Sequence, residues 1–321
     1  MDNRVGAELP DWLIVGRSNN YGLSRDLAIV AKAIEASGST FVMAPTRQRS
    51  VVDFLFRKKR ARRILHIERL FPLWFSAAEE NWLIPNQERF PRRHLGRLKH
   101  ADGVLAKTRH AEEIFSNYVQ NVAYLGFISE DRFDPAATRK WNRFFHLAGG
   151  STLKGTEDVL ALWAAHPEWP ELVLVQKAEN APRIVPANVR LISGFVSDSE
   201  LRQLQNECGV HLCLSRAEGW GHTILEAMST AAVTVTIDAA PMNEHVTTDT
   251  GILVPASRSE IRHLGLCHYA DLRVLKAAID CILAMPDSER ARLGMAARER
   301  YLSIGSDFGA RAQRLLGPSK R

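Results

Sequence analysis

The sequence predicts an α/β protein made of two doubly wound, Rossmann-like halves, and three observations carry that reading. Short apolar runs alternate with segments whose apolar residues recur at helical spacing, which argues for parallel strands joined by helices. The alternation breaks at Asp131-Arg132-Phe133-Asp134-Pro135 and then restarts, so the pattern occurs twice. At 321 residues, with 45% hydrophobic and 24% charged residues, the chain has the length for two domains and the composition of a globular enzyme. The expected division is 1–140 and 141–304, with the linker near 130–142.

In the first half, strands are expected at 12–15, 40–44, 63–67, 81–85, 103–107 and 122–125. Helices are expected at 24–37, 73–80, 91–100 and 109–118. The second half begins with a strand at 144–147, a helix at 155–165, and strands at 172–175 and 189–192. A helix at 198–206, a strand at 210–214, a helix at 223–230 and strands at 233–237 and 251–254 follow. A helix rich in Ala, Arg and Glu, about 288–304, closes this half. No G-x-G-x-x-G follows the first strand, which argues against a nicotinamide dehydrogenase.

Charge is unevenly spread. The formal net charge is +6, and two basic clusters lie in the first half. One is Arg57, Lys58, Lys59, Arg60, Arg62 and Arg63; the other is Arg89, Arg92, Arg93, His94, Arg97, Lys99 and His100. A solvated helix face explains such runs, as does contact with an anionic membrane, a polyanionic acceptor or nucleic acid. Aromatic residues do not interleave the first cluster, which disfavours single-stranded nucleic acid without excluding nucleic acid as a partner. No apolar run approaches the roughly eighteen residues of a spanning helix, and the first eight residues do not read as a secretion signal. Cys208, Cys213, Cys267 and Cys281 lack CxxC spacing and read as reduced thiols of a cytoplasmic protein, peripheral at most at the inner membrane face. His263, Cys267 and His268 lack a fourth partner, so no metal site is expected.

The densest signal runs from His211 to Ser229. A buried strand leads into the tight loop Glu218-Gly219-Trp220-Gly221, and a helix follows. Glycines let backbone approach a ligand closely, and the first amides of a helix have no partners within it. Such a place favours an anion, most often a phosphate. Gly219, Trp220, Gly221, His222 and Thr223 would supply that cradle. Carboxylates beside it, Glu218 and Glu226, are placed to accept hydrogen bonds from sugar hydroxyls. The ligand implied is a phosphate flanked by sugars: a nucleotide sugar.

This segment resembles the signature of retaining glycosyltransferases of family 4. Their pattern is a glutamate, a Gly-aromatic-Gly loop, and a second glutamate after seven intervening residues, followed by Ala-Met. Here it reads Glu218, Gly219-Trp220-Gly221, Glu226 and Ala227-Met228. A second family feature lies in Leu147-Ala148-Gly149-Gly150-Ser151-Thr152-Leu153-Lys154-Gly155, where a strand and a small-residue loop precede Lys-Gly at a helix start. Gly150 and Ser151 would line this cradle, and Lys154 would meet the diphosphate as a point charge. Relatives usually add an arginine there, which this chain lacks. Arg216, just ahead of Glu218, is the first alternative cation. Phe195 and Val196, in Ser193-Gly194-Phe195-Val196-Ser197, match the loop that holds the nucleobase through backbone groups.

The resemblance implies the GT-B fold, two Rossmann-like domains facing a central cleft, with a C-terminal segment of about 305–321 crossing back onto the first. It implies transfer, without a metal or cofactor, from a UDP- or GDP-sugar to a glycan, lipid-linked or other hydroxyl acceptor, with retention at the anomeric carbon. Glu218 would orient the transferring sugar and Glu226 would hold the ribose; Glu218 and Lys154 are the expected catalytic residues. The acceptor side is thinner. Asn20, Tyr21 and Gly22 follow the first strand, and Asn86 and Glu88 follow the strand at 81–85, where ligands of open α/β sheets bind. Thr108 reads equally as a site or structural residue. Three alternatives stay open: a sugar phosphorylase on the same scaffold, a non-catalytic partner subunit, and an enzyme that glycosylates nucleic acid.

Overall fold

Runs of four to six apolar residues are too short for buried helices and form the strands of two sheets. The computed structural model describes residues 8–17 and 22–318, and the chain divides into two compact units, 1–127 with 305–321 and 128–304. The first unit contains β1 (Trp12–Gly16), α1 (Gly22–Ala36), β2 (Phe41–Pro45), α2 (Val51–Leu55), β3 (Arg63–Glu68), β4 (Glu80–Pro85), β5 (Gly103–Ala106), α3 (Arg109–Ser116) and β6 (Val122–Tyr124). Its six strands are all parallel, in the order β2-β1-β3-β4-β5-β6. β1, β3 and β5 are buried throughout, as strands covered on both faces must be. α1 turns Leu27, Val30, Ala33 and Ile34 inward at helical spacing.

The second unit holds β7 (Lys140–Gly149), α4 (Thr156–Ala165), β8 (Leu172–Gln176), β9 (Val189–Ile192), α5 (Asp198–Glu207), β10 (Cys208–Cys213), α6 (His222–Ser229), β11 (Val233–Asp238), β12 (Ile252–Arg262), β13 (Gly265–Ala270), α7 (Leu272–Ala284) and most of α8 (Asp287–Leu316). Its sheet runs β13-β12-β11-β10-β7-β8-β9, parallel except for the β12–β13 hairpin. The order reverses between β7 and β10. In an open parallel sheet that reversal leaves a crevice at the C-terminal ends of the two strands, the usual place for a ligand.

Residues 305–316 of α8 belong to the first unit, and their terminal carbonyls are satisfied there. Trp12 Nε1 and Ser39 Oγ both donate to the Leu316 carbonyl at 2.8 Å. Arg63 lies 4.0 Å over the Trp12 ring and donates to the Gly317 carbonyl at 2.8 Å. These bonds close a helix end that would otherwise leave carbonyls unpaired.

Several expectations need correction. Residues 128–139 pack in the second unit, not with 1–127, because buried Arg132 finds its acceptors there. Its Nε donates to Gln205 Oε1 at 2.9 Å, and its Nη1 to Asp198 Oδ1 at 2.7 Å. The helices expected at 73–80 and 91–100 are the tighter 3-10 turns Pro72–Ala77 and Arg92–His100. The second of these buries only His94 and Leu98, too little apolar face to hold an α-helix. The helix expected to stop near residue 304 continues to Leu316. The strand at 251–254 extends to Arg262 and turns back as β13.

Candidate functional site

Two loops leave the reversal point of the second sheet, one after β7 and one after β10. The first ends at Gly155, whose φ of 70° caps α4. A Cβ there would lie 2.7 Å from the Leu214 carbonyl oxygen, so only glycine allows this approach. The second ends at Gly221, with φ of 100°, which caps α6. Neither cap residue has a side chain to bond the first amides, and a helix start of this kind favours an anion. The Arg216 amide donates to the Leu153 carbonyl at 2.8 Å and ties the loops together.

Lys154 sits where they meet. Its Nζ donates to Glu218 Oε1 at 2.5 Å, Ser215 Oγ at 3.1 Å and Thr223 Oγ1 at 3.2 Å. An ammonium has three N–H donors, and these acceptors take all three. The Lys154 and Glu218 side chains keep 15% and 16% of their exposure, so both still reach solvent. Burial alone would raise the Glu218 pKa. The Lys154 ammonium and the Ser215 hydroxyl outweigh it, and the carboxyl is held below the ordinary glutamate range. Glu218 is therefore a carboxylate at neutral pH, an acceptor of hydroxyl protons and not an acid.

Arg216 does not share this work. It bonds Glu157 at 2.7 Å and Asp158 at 2.9 Å, in the first turn of α4, and stacks 4.4 Å over the Tyr269 ring. Trp220 is buried and supports the loop: Nε1 donates to Ser129 Oγ at 3.2 Å, and its ring meets His245 edge-on at 4.3 Å. Ser129 Oγ also pairs with His222 Nδ1 at 2.8 Å, and His245 Nε2 bonds the Trp220 carbonyl at 2.6 Å. Glu226, on α6, is buried, and its Oε2 accepts from Gln205 Nε2 at 2.9 Å. The pocket lined in part by Lys154, Thr223, His146, His211 and Cys213 has a volume of about 10 Å³, the room of a single water. Whatever binds must do so on the open side of the loops.

That side carries two residues the sequence underweighted. Lys177 follows β8, and its stem passes Gly150 so closely that a Cβ on Gly150 would meet its Cδ at 3.1 Å. A cation ending the strand beside β7 was the available signal. Phe195 is 94% exposed in the loop between β9 and α5, with its ring in solvent, whereas the sequence suggested only backbone contacts there. Val196 beside it packs against the cluster of Phe145, Val173 and Leu204. Ser151 Oγ accepts from the Leu153 amide at 3.1 Å and shapes its own loop.

In the first unit, Asn20 and Tyr21 lie outside the described residues, and Gly22 opens α1. Asn86 and Glu88 are buried at the end of β4, and Asn86 Oδ1 has no hydrogen-bond partner among the described residues. Thr108 is the cap of α3, accepting from the Ala111 amide at 3.0 Å. The basic clusters are not uniform surface: Arg63 and His94 are buried, while Arg57, Lys58, Lys59, Arg92, Arg93, Lys99 and His100 are exposed. Among the described residues, no three His, Cys, Asp or Glu gather as metal ligands, and no helix is long and apolar enough to cross a membrane.

Comparison with known proteins agrees with this geometry. The model of the family described as "Glycosyl transferases group 1" matches residues 182–264, which include the Glu218–Glu226 segment. No curated protein matches the chain by sequence. Among solved structures, a sucrose-phosphate synthase from Thermosynechococcus elongatus shares 15% identity at a TM-score of 0.70, covering 96% of this chain and 98% of its own. HepE from Anabaena, solved with UDP and glucose, shares 13% identity at 0.68, covering 95% and 97%. The pneumococcal O-GlcNAc transferase GtfA, solved with UDP and GlcNAc, shares 14% at 0.61; 79% of this chain is covered, and the chain spans 56% of that protein's length. The fold is that of the GT-B glycosyltransferases: two α/β sheets, one wholly and one mostly parallel, with helices.

Proposed function

We propose that the chain is a retaining glycosyltransferase that takes a sugar from a UDP- or GDP-sugar and attaches it to a hydroxyl of a glycan or lipid-linked acceptor. The observation that carries this is Lys154 bonded to Glu218 between two glycine-capped helix starts at the sheet's reversal point. The family match over 182–264 and the UDP bound by HepE and GtfA support it.

The reaction breaks the bond between the anomeric carbon and the diphosphate, and negative charge grows on the leaving oxygen. The first amides of α4 and α6 meet that charge without reorganising, since they already point outward. Lys154 joins them by exchanging one hydroxyl acceptor, Ser215 or Thr223, for a phosphate oxygen. Glu218 remains ionised and accepts hydrogen bonds from the transferring sugar. Glu226, braced by Gln205, holds the ribose. The acceptor hydroxyl gives its proton to the leaving phosphate on the same face of the sugar, so the anomeric configuration is kept and no separate base is required. Four free cysteines, three of them buried, suit a cytoplasmic setting.

Thermal melting with UDP, GDP and their sugars tests the donor. A ligand at a hundred times its Kd raises stability by about 2.7 kcal/mol. Stabilisation by inorganic phosphate or a sugar 1-phosphate, with none by nucleotides, would replace this reading with a phosphorylase. Binding without turnover across acceptors would make the chain a partner subunit. With an acceptor in hand, proton NMR of the product's anomeric signal decides retention.

A further inference from the structure

The first unit carries an exposed apolar turn framed by cations, which the donor chemistry does not use. α2 buries none of its residues. Val51, Val52, Leu55 and Phe56 are 61%, 60%, 70% and 81% exposed. Four large apolar side chains within six residues of sequence form the kind of surface that proteins otherwise reserve for contact with an apolar phase. The exposure does not come from a frayed end. Ser50 Oγ accepts from the Asp53 amide at 3.0 Å, and buried Arg49 clamps the turn from beneath. Arg49 donates to the carbonyls of Leu73 at 2.8 Å, Asp53 at 3.0 Å and Lys58 at 3.3 Å, and to Ser76 Oγ at 3.0 Å. The side chains are held outward by a hydrogen-bonded base.

Beside them opens a groove of about 780 Å³. Phe54 and Phe75 give it apolar walls, Arg57, Lys59 and Arg97 supply cations, and Glu79 is the one acid of its lining. Exposed Lys58 and Lys99 adjoin these residues in sequence and extend the positive character. Apolar side chains next to cations match one kind of partner, a surface with phosphates above and hydrocarbon below. A nucleic acid answers the cations but leaves the four apolar side chains in water.

We propose that this face docks peripherally on an anionic phospholipid bilayer. Residues 51–56 enter the boundary between headgroups and acyl chains, and the flanking cations meet lipid phosphates. α2 is too short to act as an interfacial helix alone, so adhesion needs both parts. The inference stands apart from the donor reading, because every residue in it lies in the first unit.

Sedimentation of the full chain with vesicles of phosphatidylcholine, with and without phosphatidylglycerol, tests it. The chain should bind the anionic vesicles, leave the neutral ones in solution, and dissociate as salt rises. Leu55→Ser with Phe56→Ser should weaken binding roughly tenfold or more, because two exposed apolar groups no longer insert. Arg57→Gln with Lys58→Gln and Lys99→Gln should weaken it by a similar factor and flatten the salt dependence. Both variants should melt with the parent. Equal binding by the serine variant, equal binding to neutral vesicles, or binding to duplex DNA but not to vesicles would each overturn the proposal.

Discussion

The two units handle ionisable groups at their sheet edges in opposite ways. In the first, Lys107 follows β5 and pairs with Asp26 of α1 at 3.0 Å, the side chains being 2% and 5% exposed. In the second, Lys154 pairs with Glu218 at 2.5 Å, but both side chains reach solvent and two hydroxyls share the ammonium. The chemistry of the pairs is the same and their surroundings are not. A sealed pair locks a helix to a strand. An open pair between glycine-capped loops can exchange an acceptor for a ligand. The second unit buries His146, His211 and His245, and the first buries His66 and His94.

Acid should separate the units most strongly. Burial pushes His66, His146, His211 and His245 each down to about 4, below the value of an unfolded chain. A group neutral in the fold but protonated when unfolded contributes stability above its unfolded pKa. That contribution is lost as pH falls from about 6.5 towards 4. At pH 5 each histidine should cost about 2 kcal/mol relative to neutral pH. Three of these four lie in the second unit, and burial lowers His94 and His110 of the first unit less far, so the second unit's amides should lose hydrogen-exchange protection first as pH drops. Loss that begins in the first unit would mean that its sealed pair, not the histidines, governs acid stability.

Removing the lysines should sharpen the contrast further. Lys107→Ala leaves Asp26 buried without its cation and should cost about 3–5 kcal/mol of stability, read as a lower melting temperature. Lys154→Ala should lower melting less than Lys107→Ala, since Glu218 keeps some access to solvent, yet lower turnover roughly a hundredfold, about 3 kcal/mol, if the ammonium meets charge that grows in the transition state. Lys154→Arg should not restore the rate, because a planar fork cannot occupy a site built for a point charge. Turnover of Lys154→Ala within threefold of the parent would shift the role to another cation, and Lys177, which passes Gly150 and pairs with Glu179 at 3.5 Å, would be the next to replace.

What could be read from the sequence follows the same division. The Lys154 and Glu218 loops were legible because glycines, strand ends and helix starts fix the spacing of their residues along the chain. The parallel strands were legible because burial on both faces makes them continuous apolar runs. Partners distant in sequence left no local mark: Gln205 against Glu226, and Glu157 with Asp158 against Arg216. The β12–β13 hairpin did leave one. Ser257-Arg258-Ser259-Glu260-Ile261-Arg262 is an extended polar strand, and His263 turns with φ of 54° where a glycine usually signals the bend. α2 was invisible for a different reason. Its apolar residues face water, so they form no buried periodicity.

Phe195 offers the smallest effect and the finest probe of the open side. Its exposed ring follows β9, in the loop where the sequence suggested nucleobase contact, and Val196 anchors that loop in the core. A ring held in solvent beside an anchored neighbour is placed to stack on a flat base. Phe195→Ala should therefore weaken UDP or GDP binding by about 1 kcal/mol, roughly fivefold, and Phe195→Tyr should restore it. Melting without nucleotide should not change, because the ring packs against nothing that its loss would expose. Titration calorimetry with the nucleotide that stabilises the parent reads the difference directly. Unchanged affinity in Phe195→Ala would return base recognition to the backbone of this loop, and the exposed ring would then have no part in the donor site.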